Sequence, residues 1–222
     1  MNTTSRAPAP RRMPPEERER SIVEGAVALA QESGIESLTV RAVAARVGVT
    51  PALVAHYRPV MDAFVAEVFG AIVAAERDEV LAAFSPAEGL RSGLQRLVET
   101  LLDDARDDVA LIWVQAWALG VRNEPLGARV RAEMDRWQSG LHEVIAGAAS
   151  ADDALVDPSS AAWMLLAMVD GMSAHALVKW APQDRADLAR RTVSAALDRP
   201  ELPAASTRPL GAPAISKSED RP

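Results

Sequence analysis

The chain is punctuated by proline. Pro15, Pro51, Pro86, Pro125 and Pro158 each open a stretch whose apolar residues recur at helical spacing. Proline lacks the N–H that a first helical turn leaves unpaired, and its φ already suits a helix, so it is at home there and disruptive further in. Thr50, Ser85 and Asp157, each just before one of these prolines, bring side-chain oxygens that can accept from the free amides. Between these starts we find no alternating strand of useful length and no repeat at a fixed period. Forty-three of the 222 residues are alanine and only eight are Trp or Phe. That mix favours helices over a large sheet. The predicted fold class is all-α, with about nine helices.

The spacing predicts helices over 15–33, 40–47, 51–57, 60–84, 85–102, 108–121, 125–148, 158–180 and 183–198. Gly34 is expected to end the first in the left-handed conformation, and Gly48 to stop the second. Ser85-Pro86-Ala87-Glu88 reads as a capping box that starts the fifth. Residues 1–14 read as a flexible arm. Residues 199–222, with five prolines, read as a disordered tail. The expected division places a head at 15–59 and a larger helical body at 60–198.

Several classes of chemistry drop out. The chain has no cysteine, which excludes disulfides, thiolate metal sites and Cys nucleophiles. Only His56, His142 and His175 carry imidazole, so no metal site and no cofactor is expected. Asp103, Asp104, Asp107 and Asp108 form the one dense carboxylate group. They lie at a helix break without a Glu-x-x-His partner and read as a solvated loop. No phosphate-binding glycine loop, G-x-S-x-G or H-E-x-x-H occurs, so the chain is not expected to be an enzyme. No apolar run reaches the ~20 residues that span a bilayer. The first fifteen residues carry no signal-peptide core. A soluble cytoplasmic protein without membrane contact is expected.

The stretch 38–57 carries the most information. Two helices of about seven residues are joined through Val47-Gly48-Val49, which is the geometry of a helix-turn-helix. Spacing alone fits an ordinary corner in a helical bundle equally well. The residues narrow the choice. Ala26, Gly34, Leu38-Thr39-Val40, Val43-Ala44, Gly48-Val49-Thr50-Pro51 and His56-Tyr57 make residues 15–65 resemble the N-terminal domain of the TetR family of transcriptional regulators. Leu53-Val54-Ala55-His56-Tyr57 is most similar to its BetI-like branch. Trp113-Val114-Gln115-Ala116-Trp117, Trp137 and Val169-Asp170-Gly171-Met172 resemble that branch's C-terminal regulatory domain.

The resemblance implies that this head reads double-stranded operator DNA. Thr39 and Arg41, at the start of the second helix, suit a phosphate. Thr50 and Pro51 open the recognition helix. Ala52 permits close approach, Ala55 can offer a methyl to thymine, and His56 can donate to a base or phosphate. Tyr57 resembles a phosphate donor. With no Arg, Asn or Gln in Pro51–Tyr57, direct readout should be sparse. The chain departs from the family in two places. Arg58 stands where Phe is usual, and Met61 stands where a lysine usually meets a phosphate. Arg58 is expected to supply the missing contact.

In the larger half, all five tryptophans lie between 113 and 180. Trp113, Trp117, Met134, Trp137, Met168 and Met172 are the candidate lining of a pocket for an apolar or amphipathic small molecule, with core or dimer packing as the alternative. The residues leave no charge committed to an anionic ligand. The last two helices are expected to form a homodimer, through Ala161, Ala162, Leu165, Met168 and Ala176 on one and Leu188, Thr192, Ala195 and Ala196 on the other. The expected function is a ligand-responsive repressor that binds a palindromic operator as a homodimer. A helical protein-interaction scaffold without DNA binding is the alternative.

Charge sharpens the picture. The net charge is −7, yet residues 1–58 hold eight basic and six acidic side chains, and the rest hold 16 and 25. Thr39 to Arg58 holds three arginines and no acid. The acidic surplus is segregated into the body, which discourages non-specific binding to nucleic acid.

Overall fold

The computed structural model describes residues 13–180 and 184–198. The proposed tail, and the arm up to residue 12 with Arg6, Arg11 and Arg12, lie outside them. Nine α-helices are found among the described residues. A head is built from α1 (Pro15–Ser33), α2 (Val40–Val47) and α3 (Pro51–Tyr57). The body holds α4 (Met61–Ala82), α5 (Leu90–Leu101), α6 (Asp107–Gly120), α7 (Glu124–Ala151), α8 (Pro158–Leu177) and α9 (Arg185–Leu197). None is long and apolar enough to cross a membrane.

Most helix starts follow local chemistry. Thr39 Oγ1 accepts from the Ala42 amide at 3.1 Å, and Thr50 Oγ1 from the Leu53 amide at 3.3 Å. Asn123 and Asp157 cap α7 and α8 in the same manner. Gly48 ends α2 in the left-handed region (φ 71°, ψ 38°), and the Val49 amide turns back to the Ala44 carbonyl at 2.9 Å. Gly34 ends α1, but with φ 79° and ψ 162° it is not left-handed helical. It occupies a region open essentially only to glycine. A side chain there would also collide with the Gln115 amide on α6.

The expected capping box at Ser85 does not form. Pro86–Glu88 makes one 3-10 turn, Ser85 accepts no capping bond, and Gly89 breaks the run at φ 76°. Helix α5 then starts at Leu90, whose amide donates to Asp152 Oδ2 at 2.7 Å. Glu88 pairs with Arg96 rather than folding back on Ser85.

The apolar interior forms two clusters. One joins Ile22, Val43 and Val54 of the head to Phe64 and Phe69 of α4 and to Ile112 and Ala116 of α6. The expected division after residue 59 therefore falls inside a single packed core. The second holds Leu94, Trp137, Leu141, Leu165 and Val193, from α5, α7, α8 and α9. Between α4 and α7 lies Glu133, with no exposed surface. Its carboxylate receives Arg77 at 2.6 Å, Arg136 at 2.7 Å and Arg129 at 3.0 Å.

The face of α8 and α9 expected to form the dimer points largely inward. Ala161, Ala162, Leu165, Thr192 and Ala196 are buried within their own chain. Of the expected residues Ala195 is exposed, and the outer face also carries Ala167 and Trp163, the last 60% exposed.

Candidate nucleic-acid interface and interior cavity

The head presents the expected residues to solvent. Thr39, Arg41, Thr50, Pro51, Ala52, Ala55 and His56 are exposed, while Val43, Ala44 and Val54 on the opposite faces are buried. The 3.6-residue period thus leaves one side of each short helix for the core and one for a partner. Tyr57 is half-buried, packs against the first core cluster and meets His56 edge-on at 5.4 Å between ring centres. Met61, in the place of the absent lysine, also packs against that cluster.

Two of the three arginines in this stretch are already engaged. Arg46 makes a two-pronged pair with Glu32 of α1, both contacts at 2.5 Å. Arg58 donates to Glu19 of α1 at 2.6 Å and to Glu67 of α4 at 3.1 Å. Its guanidinium lies 5.2 Å over the Phe64 ring, and its side chain is only 16% exposed. The phosphate contact expected of Arg58 is therefore not what this geometry presents. Two carboxylates and an aromatic face tie Arg58 to α1 and α4, and a phosphate would have to displace them. Among the described residues from 39 to 58, Arg41 is the cation with no such partner.

A cavity lies inside the body, with about 660 Å³ between its atoms, part of it open to solvent. Trp113 and Trp117 come from α6, and Met134 and Trp137 from α7. Four of the six residues expected to line a pocket do so. Met168 and Met172 do not; they pack against the second apolar cluster. Trp113 stands edge-on to Phe69 at 5.1 Å and 5.7 Å from Trp117, between ring centres.

The lining also has a charged part that was not expected. Glu76 from α4, Arg106 and Asp170 from α8 all face this space. Glu76 is 9% exposed, and burial pushes its carboxyl up to about 7 although Arg106, 3.5 Å away, favours the charged form. Arg106 also reaches Glu79, at 2.9 Å. Burial raises Asp170 to about 6. The signal was present: Glu76 falls on the Ile72–Glu76–Val80 stripe, and Asp170 on Leu166–Asp170–Ala174, so helical spacing turns both inward. The acidic group at 103–108 is also more than a solvated loop. Asp103 caps the turn Asp104–Arg106, and Asp104 holds Arg185 of α9.

Helix α6 belongs to both places. Trp113 and Trp117 face the cavity, while Ile112 and Ala116 are in the head's apolar cluster. Gln115, between them, abuts Gly34 at the end of α1.

Comparison with known proteins agrees with this geometry. Residues 22–68 match the model of bacterial regulatory proteins, tetR family, and residues 90–200 match that of the BetI-type transcriptional repressor, C-terminal. No curated protein matches the chain. Among solved structures, it is similar to a putative TetR-family transcriptional regulator from Rhodococcus sp. The TM-score is 0.65 at 22% identity, over 82% of this chain and 99% of that one. A putative transcriptional regulator from Pseudomonas aeruginosa aligns with TM-score 0.65 at 23% identity, over 83% and 92%. The multidrug binding protein EbrR, complexed with proflavin, aligns with TM-score 0.63 at 21% identity, over 81% and 99%. At these identities the likeness is one of fold.

Proposed function

The chain belongs to the TetR family of bacterial regulatory proteins, DNA-binding and ligand-responsive, with a BetI-type C-terminal half, and from that premise we propose how it works. It is a repressor that sits as a homodimer on a palindromic operator and is released by a small molecule bound among the tryptophans of the body. Thr39, Arg41 and Tyr57 meet phosphates, while Thr50, Pro51, Ala52, Ala55 and His56 meet the major groove. The dimer forms through the outer faces of α8 and α9, and the molecule acts in the cytoplasm.

The observation that carries this reading is the double membership of α6. A ligand that displaces Trp113 or Trp117 moves the same helix whose other residues are packed into the head. Two head positions with different ligand affinities then suffice for control. That EbrR, which shares this fold, is a multidrug binding protein complexed with proflavin supports a small-molecule effector.

Selection of binding sites from random DNA, followed by a compound screen for release, tests the proposal. The expected result is a two-fold symmetric site and a compound that weakens binding to it. A ligand that binds the cavity without changing operator affinity would refute the release mechanism. Failure to bind any DNA, with the dimer intact, would make the chain a protein-interaction scaffold.

A further inference from the structure

Helix α3 is lightly anchored for a helix that has to read DNA. It has seven residues, too few to be stable alone, and Val54 is its only buried side chain. It packs chiefly on α2. Thr50 and the turn at Gly48 fix its first end. A single buried residue sets where such a helix lies but leaves its tilt soft.

Arg58 holds the other end. Its amide donates to the Val54 carbonyl at 2.8 Å and its Nη1 to the Tyr57 carbonyl at 3.3 Å, so it closes the last turn of α3. The same guanidinium reaches Glu19 on α1 and Glu67 on α4, and lies over the Phe64 ring of α4. Helices α1, α3 and α4 thus meet in one planar fork. An arginine can serve two carboxylates and a ring face together, whereas a lysine is a single point of charge. The cation is occupied, and the acids that hold it repel phosphate. Neither gains affinity by touching DNA. What they supply is a fixed tilt.

We infer that Arg58 is a positioning residue for sequence readout. By clamping the end of α3 to α1 and α4 it fixes the angle at which Thr50, Ala52, Ala55 and His56 meet the groove, without itself touching DNA. This rests on the reading of α3 as the helix that enters the major groove. Base contacts need several side chains in register at once, whereas attraction to phosphates tolerates a loose helix. The signature is a loss of specific binding without a loss of general binding.

Fluorescence anisotropy on the full-length protein tests it, with the duplex that the wild type selects from random DNA and a scrambled duplex of the same composition. Arg58→Met keeps the apolar stem and removes the fork. Its affinity for the selected duplex should fall about tenfold or more, its affinity for the scrambled duplex by less than about twofold, and its salt slope should not change. Arg58→Lys should recover part of the loss. Glu67→Ala is the sharpest variant. Removing an acid from a DNA-binding head ordinarily strengthens binding to any duplex, yet here the selected duplex should bind more weakly. Arg58→Met combined with Glu67→Ala should be little worse than Arg58→Met alone, because both break one clamp. Amide exchange measured without DNA should rise in α3 far more than in α2. A thermal melt sets a temperature at which every variant is folded.

A folded Arg58→Met that keeps wild-type affinity for the selected duplex overturns the inference. So does a salt slope that falls by about one with both duplexes weakened alike, which would make Arg58 a phosphate contact. Unchanged exchange in α3, or a Glu67→Ala protein that binds both duplexes more tightly, overturns it too. The wild type keeps the two readings apart. If it binds no duplex, the DNA reading fails and this inference with it. If it selects a duplex that Arg58→Met binds equally well, only this inference falls.

Discussion

Arg41 and Arg58 carry the same charge, but only Arg41 reaches solvent without a carboxylate on it. The difference predicts their behaviour in salt. Arg41→Ala should reduce the slope of log affinity against log salt by about one, the value of one phosphate contact. Arg58→Ala should leave the slope unchanged and instead loosen the packing of α1 on α4, seen as a lower melting temperature. Asp170 makes a second prediction at this scale. Its carboxyl is raised to about 6 by burial, so above that pH the folded chain holds a dehydrated charge that unfolding would return to water. Below it the carboxyl is neutral, and the cost fades towards the ordinary Asp range near ~4. Asp170→Asn should therefore melt higher than wild type at pH 8, by roughly 2–4 °C, and alike near pH 4. Equal melting temperatures at pH 8 would mean that the carboxyl is not dehydrated.

Among the helices, the contact between α4 and α7 is built around a buried charge. Glu133 occupies the Val130–Glu133–Trp137 stripe of α7 and is closed off by three arginines. Glu133→Ala would leave Nη1 of the buried Arg77 without its acceptor, with only the exposed Asp78 still paired to the guanidinium. It should cost about 3–5 kcal/mol in urea denaturation at fixed protein concentration. The helices themselves were legible in the sequence because their ends are local. Thr39, Thr50 and Asp157 cap amides two or three residues away, and Gly48 needs only its own backbone. What depended on distant partners was not legible. Glu88 has the spacing of a capping box, but its carboxylate goes to Arg96 and the next helix start is held by Asp152. Arg58 looked free because its partners are on other helices. The apolar stripe of α8 was correctly seen as a stripe, but periodicity does not say whether it meets its own chain or a second copy. The same holds for the cavity: the aromatic wall stood out by residue type, whereas the acids became informative only once α4 and α8 were brought together.

For the molecule as a whole, charge and apolar surface are sorted by region. The acidic surplus lies beyond residue 58, and within the head Arg46 of α2 and Arg58, just after α3, are neutralised by α1 and α4. Weak general attraction to DNA follows, which places the burden of affinity on having two heads at once. Trp163, exposed on the outer face of α8, is the side chain most suited to hold those heads together. Trp163→Lys should turn the dimer into monomer in sedimentation experiments and lower operator affinity by orders of magnitude, while ligand binding in the cavity persists. A variant that remains dimeric would place the interface elsewhere.

The apolar cluster that runs from Ile22 through Phe64 to Ile112 bears on how such a protein can be recombined. A reading head joined to its body by a linker is a cassette, and exchanging it yields a regulator with a new address and the old effector. Here a cut after residue 59 would split one core and expose both halves of it. A working chimera would have to carry over the matching faces of α4 and α6 together with the head. Those faces include the back of the helix that holds Trp113 and Trp117. New DNA specificity by grafting would therefore disturb the old effector response, and substitution of the few exposed positions of α3 is the gentler route.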